Sequence, residues 1–413
     1  MALDDRLRDD ASALGPDLIR LRRVLHAQPE TGLALPVTQE TVLTELAGLD
    51  LEITTGRALS SVTAVLRGGR RGPAVLLRGD MDALPVTEAT GLEYASTVDG
   101  AMHACGHDLH TAMLVGAARL LAAHRSELPG DVVFMFQPGE EGWDGAGRMV
   151  AEGVLEAAGR PVVAAYGMHV LSSMIPRSVF ATRPGQLMAA SAGMTVVVRG
   201  EGGHGSAPHR SRDPITAAAE MVTALQTLVT RRFDVFDPVV VTVGSLHAGT
   251  KRNIIPDDAR FEATIRSFSR EARDRIRVEA PALCRQIGAA FGVDVDVDYT
   301  DEYPLTRNDP GHAAFAAGVV AEVFGTERYH ELADPITGSE DFSRVLDEVP
   351  GCYLFLGAHT GDRTDGPDNH SPRAAFDDSV MADGVLLHAQ LALRALRRAE
   401  AVVPAQQAAD PAS

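Results

Sequence analysis

Residues 73–82, PAVLLRGDMD, read as a buried strand that breaks at Gly79 and ends on two acids, Asp80 and Asp82. The next periodic stretch predicts a helix over 107–125, with Met113, Leu114, Ala117, Leu120 and Leu121 on one face. A strand at 132–137 (VVFMFQ), a glycine-rich turn, a short helix near 146–153 and a strand at 162–170 (VVAAYGMHV) follow. Strands alternating with helices imply an α/β domain, a mostly parallel sheet with helices on both faces. Open sheets of that class bind ligands at the C-terminal ends of their strands.

The pattern changes after Pro184-Gly185. Strands at 194–199, 239–246, 259–267 and 293–299 and helices at 213–231 and 271–291 give the order β-α-β-β-α-β, an α+β ferredoxin-like unit. It reads as a domain inserted over 188–302. The αβ pattern resumes after Tyr303-Pro304, with a helix near 311–324, a strand at 352–356 and a helix near 378–398. The first domain is therefore expected in two segments, 1–187 and 303–400. Residues 401–413 are rich in alanine and proline and are expected to be a disordered tail.

A formal net charge of -18 argues against nucleic acid or an anionic membrane as partner. The N-terminus MALDDRLRDDASALG lacks the apolar stretch of a secretory signal, and no run of about 18 apolar residues exists to span a bilayer. Three widely spread cysteines, Cys105, Cys284 and Cys352, form no disulfide framework. A cytoplasmic protein is expected.

Short polar segments fall at strand ends and helix starts. Cys105 and His107 stand two apart at a loop entering a helix, where one metal ion is within reach of both. The same pair also suits a buried cysteine beside a helix-capping histidine. Glu140 and Glu141 follow a strand directly and point in different directions, so one can bind metal while the other faces a water. A solvated acidic turn is the plainer reading. His169 ends an apolar strand, and His370 follows a polar loop. Asp80 and Asp82 lie on one side of a strand end, placed to orient a ligating histidine or to cap the turn. Together these residues supply one thiolate, three imidazoles and several carboxylates at one sheet edge, enough for two divalent ions with room for water and substrate.

RGDMDALPV (78–86), MHACGHDLHTAML (102–114), FQPGEEG (136–142), GMHV (167–170), GEGGHGSAPH (200–209), NIIPD (253–257), GSEDF (338–342) and NHSP (369–372) occur in one order. The chain thereby resembles the metal-dependent amidohydrolase family of hippurate hydrolase, N-acyl-amino-acid amidohydrolases and plant auxin-conjugate hydrolases. The resemblance implies a di-metal, aminopeptidase-like catalytic domain with an inserted lid or dimerisation domain, and a homodimer through that domain or a higher homo-oligomer is expected. It implies Cys105, His107, Glu141, His169 and His370 as metal ligands. Glu140 would be the general base, Asp82 the acid that orients the metal site, and His204 the group that stabilises the oxyanion. Asn253, Arg266 and His209 would bind substrate, the arginine gripping a carboxylate. Zinc, manganese, cobalt or nickel all suit such donors. The implied substrate is a small amide, an N-acyl amino acid.

Gly200-Glu201-Gly202-Gly203-His204-Gly205 fits a dinucleotide fingerprint in letters, but Pro208 and a polar loop follow where a helix must open. A carboxypeptidase or dipeptidase of the same architecture uses the same chemistry and stays open as an alternative. A non-catalytic metal-binding derivative is a third reading, against which Glu140 and all five candidate ligands are retained.

Overall fold

Apolar side chains at every position of 74–77 leave no face for water, and in the structure this segment is an interior strand. A computed structural model describes residues 3–361 and 365–409. The chain opens with α1 (Leu3–Ala13), α2 (Gly15–Ala27), α3 (Pro36–Leu46), β1 (Glu52–Thr55) and β2 (Val62–Leu66). It continues through β3 (Ala74–Asp80), α4 (His107–Ala123), β4 (Asp131–Gln137), α5 (Gly145–Ala151) and β5 (Val162–Leu171). Short strands β6 (Phe180–Thr182) and β7 (Gly185–Met188) end this part.

Next come β8 (Ala190–Arg199), β9 (Gly203–His204), α6 (Pro214–Arg232), β10 (Val239–Ala248) and β11 (Ile254–Ile255). Then β12 (Asp258–Ser267), α7 (Arg270–Phe291) and β13 (Asp294–Asp301) follow. The chain closes with β14 (Thr306–Asn308), α8 (Pro310–Phe324), β15 (Tyr329–Glu331), α9 (Ser343–Glu348), β16 (Gly351–Gly357) and α10 (Met381–Ala409).

Two compact units result. Unit 1 holds residues 1–187, 307–334 and 341–413, and unit 2 holds 188–306 and 335–340. Pro335–Glu340 thus belongs to unit 2, although the sequence pattern placed it with the catalytic segment. Its backbone explains the difference, since Ile336 bridges to Met188 and the Glu340 carbonyl accepts from Thr306 Oγ1. The sequence boundary at 302 likewise moves to 306.

Unit 1 is an eight-stranded sheet in the order β1-β2-β4-β3-β5-β16-β6-β15. Its centre is parallel: β3 pairs in parallel with β4 and β5, and β5 with β16. The C-terminal ends of these four strands therefore share one edge. Buried apolar residues of β3 and α4, among them Val75, Leu77, Met113, Leu114 and Leu121, join one core with Val385 and Leu396 of α10. The expected tail is helical instead, because α10 runs on to Ala409. Residues 410–413 lie outside the described residues.

Unit 2 is an antiparallel sheet in the order β10-β12-β8-β13. Strict alternation along β12 buries Ala259, Phe261, Ala263 and Ile265 while the residues between them face outward. Those side chains pack on Met221 and Leu225 of α6 and on Ile276 and Cys284 of α7. Burial pushes the Cys284 thiol up to about 12, leaving it a small apolar group. Among the described residues no helix is long and apolar enough to cross a membrane.

Candidate metal centre

At the C-terminal edge of β3, Asp82 turns its carboxylate onto the segment that leaves β4. Its Oδ1 accepts the Glu140 N–H at 2.9 Å and its Oδ2 the Glu141 N–H at 3.0 Å. The same residue accepts His107 Nδ1–H on its backbone carbonyl at 2.8 Å. One short stretch of chain thus sets two acids and an imidazole. Since that carbonyl can only accept, His107 presents Nε2, which is buried with no hydrogen-bond partner among the described residues. His169 is arranged in the same way: Nδ1 donates to the Val170 carbonyl at 2.7 Å, and Nε2 lies 3.3 Å from Cys105 Sγ.

The loop that brings Cys105 and His107 here depends on Gly106. Its φ is +83°, and a Cβ would stand 2.4 Å from Val170 Cγ2, so only glycine lets the loop lie against β5. From the other side, Asn369 Nδ2 donates to the carbonyls of Cys105 (3.1 Å) and Val170 (3.0 Å). His370, next in sequence, has φ +72° and places Nε2 3.1 Å from Glu141 Oε1. A non-glycine residue held there stores backbone strain, as functional positions often do.

In each of three groups, Cys105–His107–His169, Cys105–Glu141–His370 and His107–Glu140–Glu141, one donor atom per residue lies within 4.8 Å of the others. The five residues singled out as ligands therefore meet at one edge, with Glu140 beside them. A thiol, three imidazoles and a carboxylate, with the His107 nitrogen left unsatisfied, fit divalent metal.

Acids and the thiol draw positive charge to this site. Burial opposes a charged His107, but Asp80, Cys105 and Asp82 outweigh it and hold its pKa well above the ordinary range. Burial drives His169 well below its ordinary value, with His110 adding to the effect. Hydrogen bonding to Cys105 and Glu141 pushes His370 up to about 10. Glu141 is lowered, since His370 and His107 overcome its burial.

A fourth group, Asp80–His107–His110, also meets that distance limit, with His107 Nε2 3.3 Å from Asp80 Oδ2. His110 Nδ1 is 2.5 Å from Asp80 Oδ1, and its Nε2 accepts the Val170 N–H at 2.8 Å. Asp80 Oδ2 lies 2.8 Å from Arg78 Nη1. These residues brace the ligands. His110, Arg78 and Asp341 were not foreseen. Asp341 accepts Gln137 Nε2 at 2.8 Å on both oxygens and lies 3.1 Å from Arg78 Nη2. A further buried pair, Arg22 Nε to Asp108 Oδ2 at 2.7 Å, ties α2 to the first turn of α4. The spacing His107-Asp108-Leu109-His110 was the available clue, since i and i+3 share a helix face.

The remaining expected residues lie in unit 2. His204 sits on β9, which pairs with β11 so that His204 opposes Ile254. The Gly205 N–H donates to the Asn253 carbonyl at 2.9 Å, and His209 lies on the short helical turn that follows. All three are exposed. Arg266 is not brought to them. On β12 it opposes Ser191, whereas Asp258, nearest Asn253, opposes Arg199 at the other end. Eight residues of extended chain separate those ends by about 27 Å.

Residues 76–394 match the model of peptidase family M20/M25/M40. Thermostable carboxypeptidase 2 of Saccharolobus solfataricus is 37% identical, covering 95% of this chain and 99% of its own. IAA-amino acid hydrolase ILR1-like 4 of Arabidopsis thaliana is 36% identical (92% and 86% covered). N-acetylcysteine deacetylase of Bacillus subtilis is 35% identical (91% and 96% covered). The crystal structure of the Bacillus subtilis YXEP protein, a dinuclear metal-binding peptidase of the M20 family, superposes with a TM-score of 0.79 at 32% identity, covering 94% and 99%. Fold, site and relatives together define a metal-dependent amide hydrolase. The chain belongs to the M20/M25/M40 peptidase family.

Proposed function

We propose that the protein hydrolyses the amide bond of N-acyl amino acids. The observation that carries this reading is the meeting of Cys105, His107, Glu141, His169 and His370 beside Glu140. These five would hold two divalent ions. Ions so held would supply Lewis acidity to the amide carbonyl and lower the pKa of an attacking water. Glu140 accepts that water's proton and returns it to the leaving amine. Asp82 fixes the backbone from which Glu140 projects. His204 stabilises the oxyanion, Asn253 and His209 bind substrate, and Arg266 grips its carboxylate. The place of His204 in the inserted domain supports a homodimer through that domain, or a higher homo-oligomer. Sedimentation giving a fully active monomer would defeat that arrangement.

A carboxypeptidase or dipeptidase is the second reading, favoured by the 37% identity to a protein named as a carboxypeptidase. One experiment separates the two. Protein stripped by a chelator is reloaded with zinc, manganese, cobalt or nickel and assayed on N-acyl amino acids and on dipeptides. Metal-dependent release from the N-acyl set is expected. Turnover confined to dipeptides would transfer the protein to the second reading.

A further inference from the structure

In the stretch 365–370 every residue except Asn369 is exposed. Asn369 turns inward, and its amide uses every hydrogen-bonding position it has. Oδ1 accepts the Ser172 N–H at 2.9 Å. It also lies 2.9 Å from Ser172 Oγ, whose hydroxyl has the Pro367 carbonyl within reach at 2.8 Å. Nδ2 donates to the Cys105 carbonyl at 3.1 Å and to the Val170 carbonyl at 3.0 Å, with Cys105 Sγ 3.7 Å away. A backbone N–H can only donate and a carbonyl can only accept, so these partners fix which way the amide faces. Asparagine suits the position because aspartate would lose both donors and leucine every bond.

Each partner leads to a candidate ligand. The Val170 carbonyl also accepts His169 Nδ1–H at 2.7 Å, so Asn369 and the His169 ring share one acceptor. The Cys105 carbonyl belongs to a donor residue itself. His370 is the next residue in the chain, and its own N–H donates to the Ala104 carbonyl at 2.9 Å. Its φ of +72° is a conformation that persists where neighbouring contacts over-determine it. The Asn369 bonds supply those contacts on one side and the Ala104 carbonyl on the other. One side chain thus ties together segments 264 and 199 residues away from it in sequence.

We propose that Asn369 is a positioning residue of the metal centre, holding Cys105, His169 and His370 in the single arrangement that both ions need. The proposal rests on the reading of those three residues as ligands. Hydrogen-bonding groups behind metal ligands commonly govern about 10–100-fold of metal affinity. His169 and His370 fall in different donor groups, so the effect should reach both ions. A residue that only steadied the surface loop would have no such reach.

The test strips the full-length protein with a chelator and returns zinc in competition with a chromophoric chelator, resolving the two binding steps. Asn369→Leu should weaken both steps by about 10–100-fold. In cobalt-loaded protein the thiolate-to-cobalt absorption should lose intensity. Asn369→Ser leaves room for water to serve the freed carbonyls, and the same loss is expected there should Asn369→Leu not fold. Urea unfolding of the metal-free variants separates this role from a structural one. Lowered stability with wild-type zinc affinity and cobalt absorption overturns the proposal, as does a loss confined to one step. Cys105→Ala is the control for the ligand reading. If it binds zinc as the wild type does, that reading and this proposal fall together. If it loses zinc while the Asn369 variants bind normally, the proposal alone falls.

Discussion

Asp82 accepts the backbone N–H of Glu140 at 2.9 Å, so the acid at the end of β3 fixes where the acid after β4 can reach. Removing that carboxylate keeps the Glu140 side chain but frees the backbone that positions it. Asp82→Ala should therefore lower kcat about a hundredfold, the usual result of misplacing a reacting group by an ångström, with KM little changed. Steady-state kinetics check it. A variant with wild-type kcat would remove Asp82 from this role.

Glu140 and Cys105 should fail differently. Glu140→Gln keeps the shape and loses the proton acceptor, so both metals are retained while kcat falls by about 10²–10⁴. Cys105→Ala removes a donor common to two groups, so metal content falls along with activity. Metal analysis of the purified variants decides the matter. Equal metal loss in both would show that Glu140 acts as a ligand.

His26 makes stability depend on pH. Its Nδ1 lies 2.7 Å from Asp108 Oδ2 and its Nε2 3.3 Å from Glu88 Oε1. Burial opposes the charged ring, but the two acids outweigh it and raise the pKa from 6.5 to about 8. A group whose pKa is raised by folding contributes fully below about pH 6.5, and that contribution is lost as pH rises through about 8. The difference corresponds to about 2 kcal/mol. Urea unfolding at pH 6 and pH 9 should show the wild type's advantage over His26→Gln shrinking by that amount. An advantage independent of pH would rule the linkage out.

Arg22 and Asp108 are both fully buried. Arg22→Met leaves the Asp108 carboxylate in the core without its guanidinium, and should destabilise unit 1 by about 3–5 kcal/mol. Replacing both, as Arg22→Met with Asp108→Leu, should recover much of that loss. A double-mutant cycle by urea unfolding measures it, and a loss under about 1 kcal/mol for the single variant would contradict the pairing.

The parts of this molecule visible in the sequence are those set by neighbours in the chain. Continuous apolar runs marked β3, β4 and β5, and the acids and histidines at their ends fell on the edge where the donors meet. His110 was hidden because α4 was read by its apolar face, and its partner Asp80 lies 30 residues earlier. Gln137 and Asp341 meet across 204 residues, for which no local pattern exists. Arg266 illustrates a different limit. Its residue type suits a carboxylate, but its distance from Asn253 depends on strand direction and register, which spacing alone does not convey.

His370 differs from its companions in one respect. Its side chain is 55% exposed, while Cys105, His107 and His169 are buried. The donor cluster is therefore open to solvent on the His370 side and closed by the fold around the other three. Ions would trade places with the surroundings by way of His370, without melting the fold around the remaining donors. How fast the enzyme adopts whichever metal its surroundings supply would then be governed by a single solvent-facing imidazole.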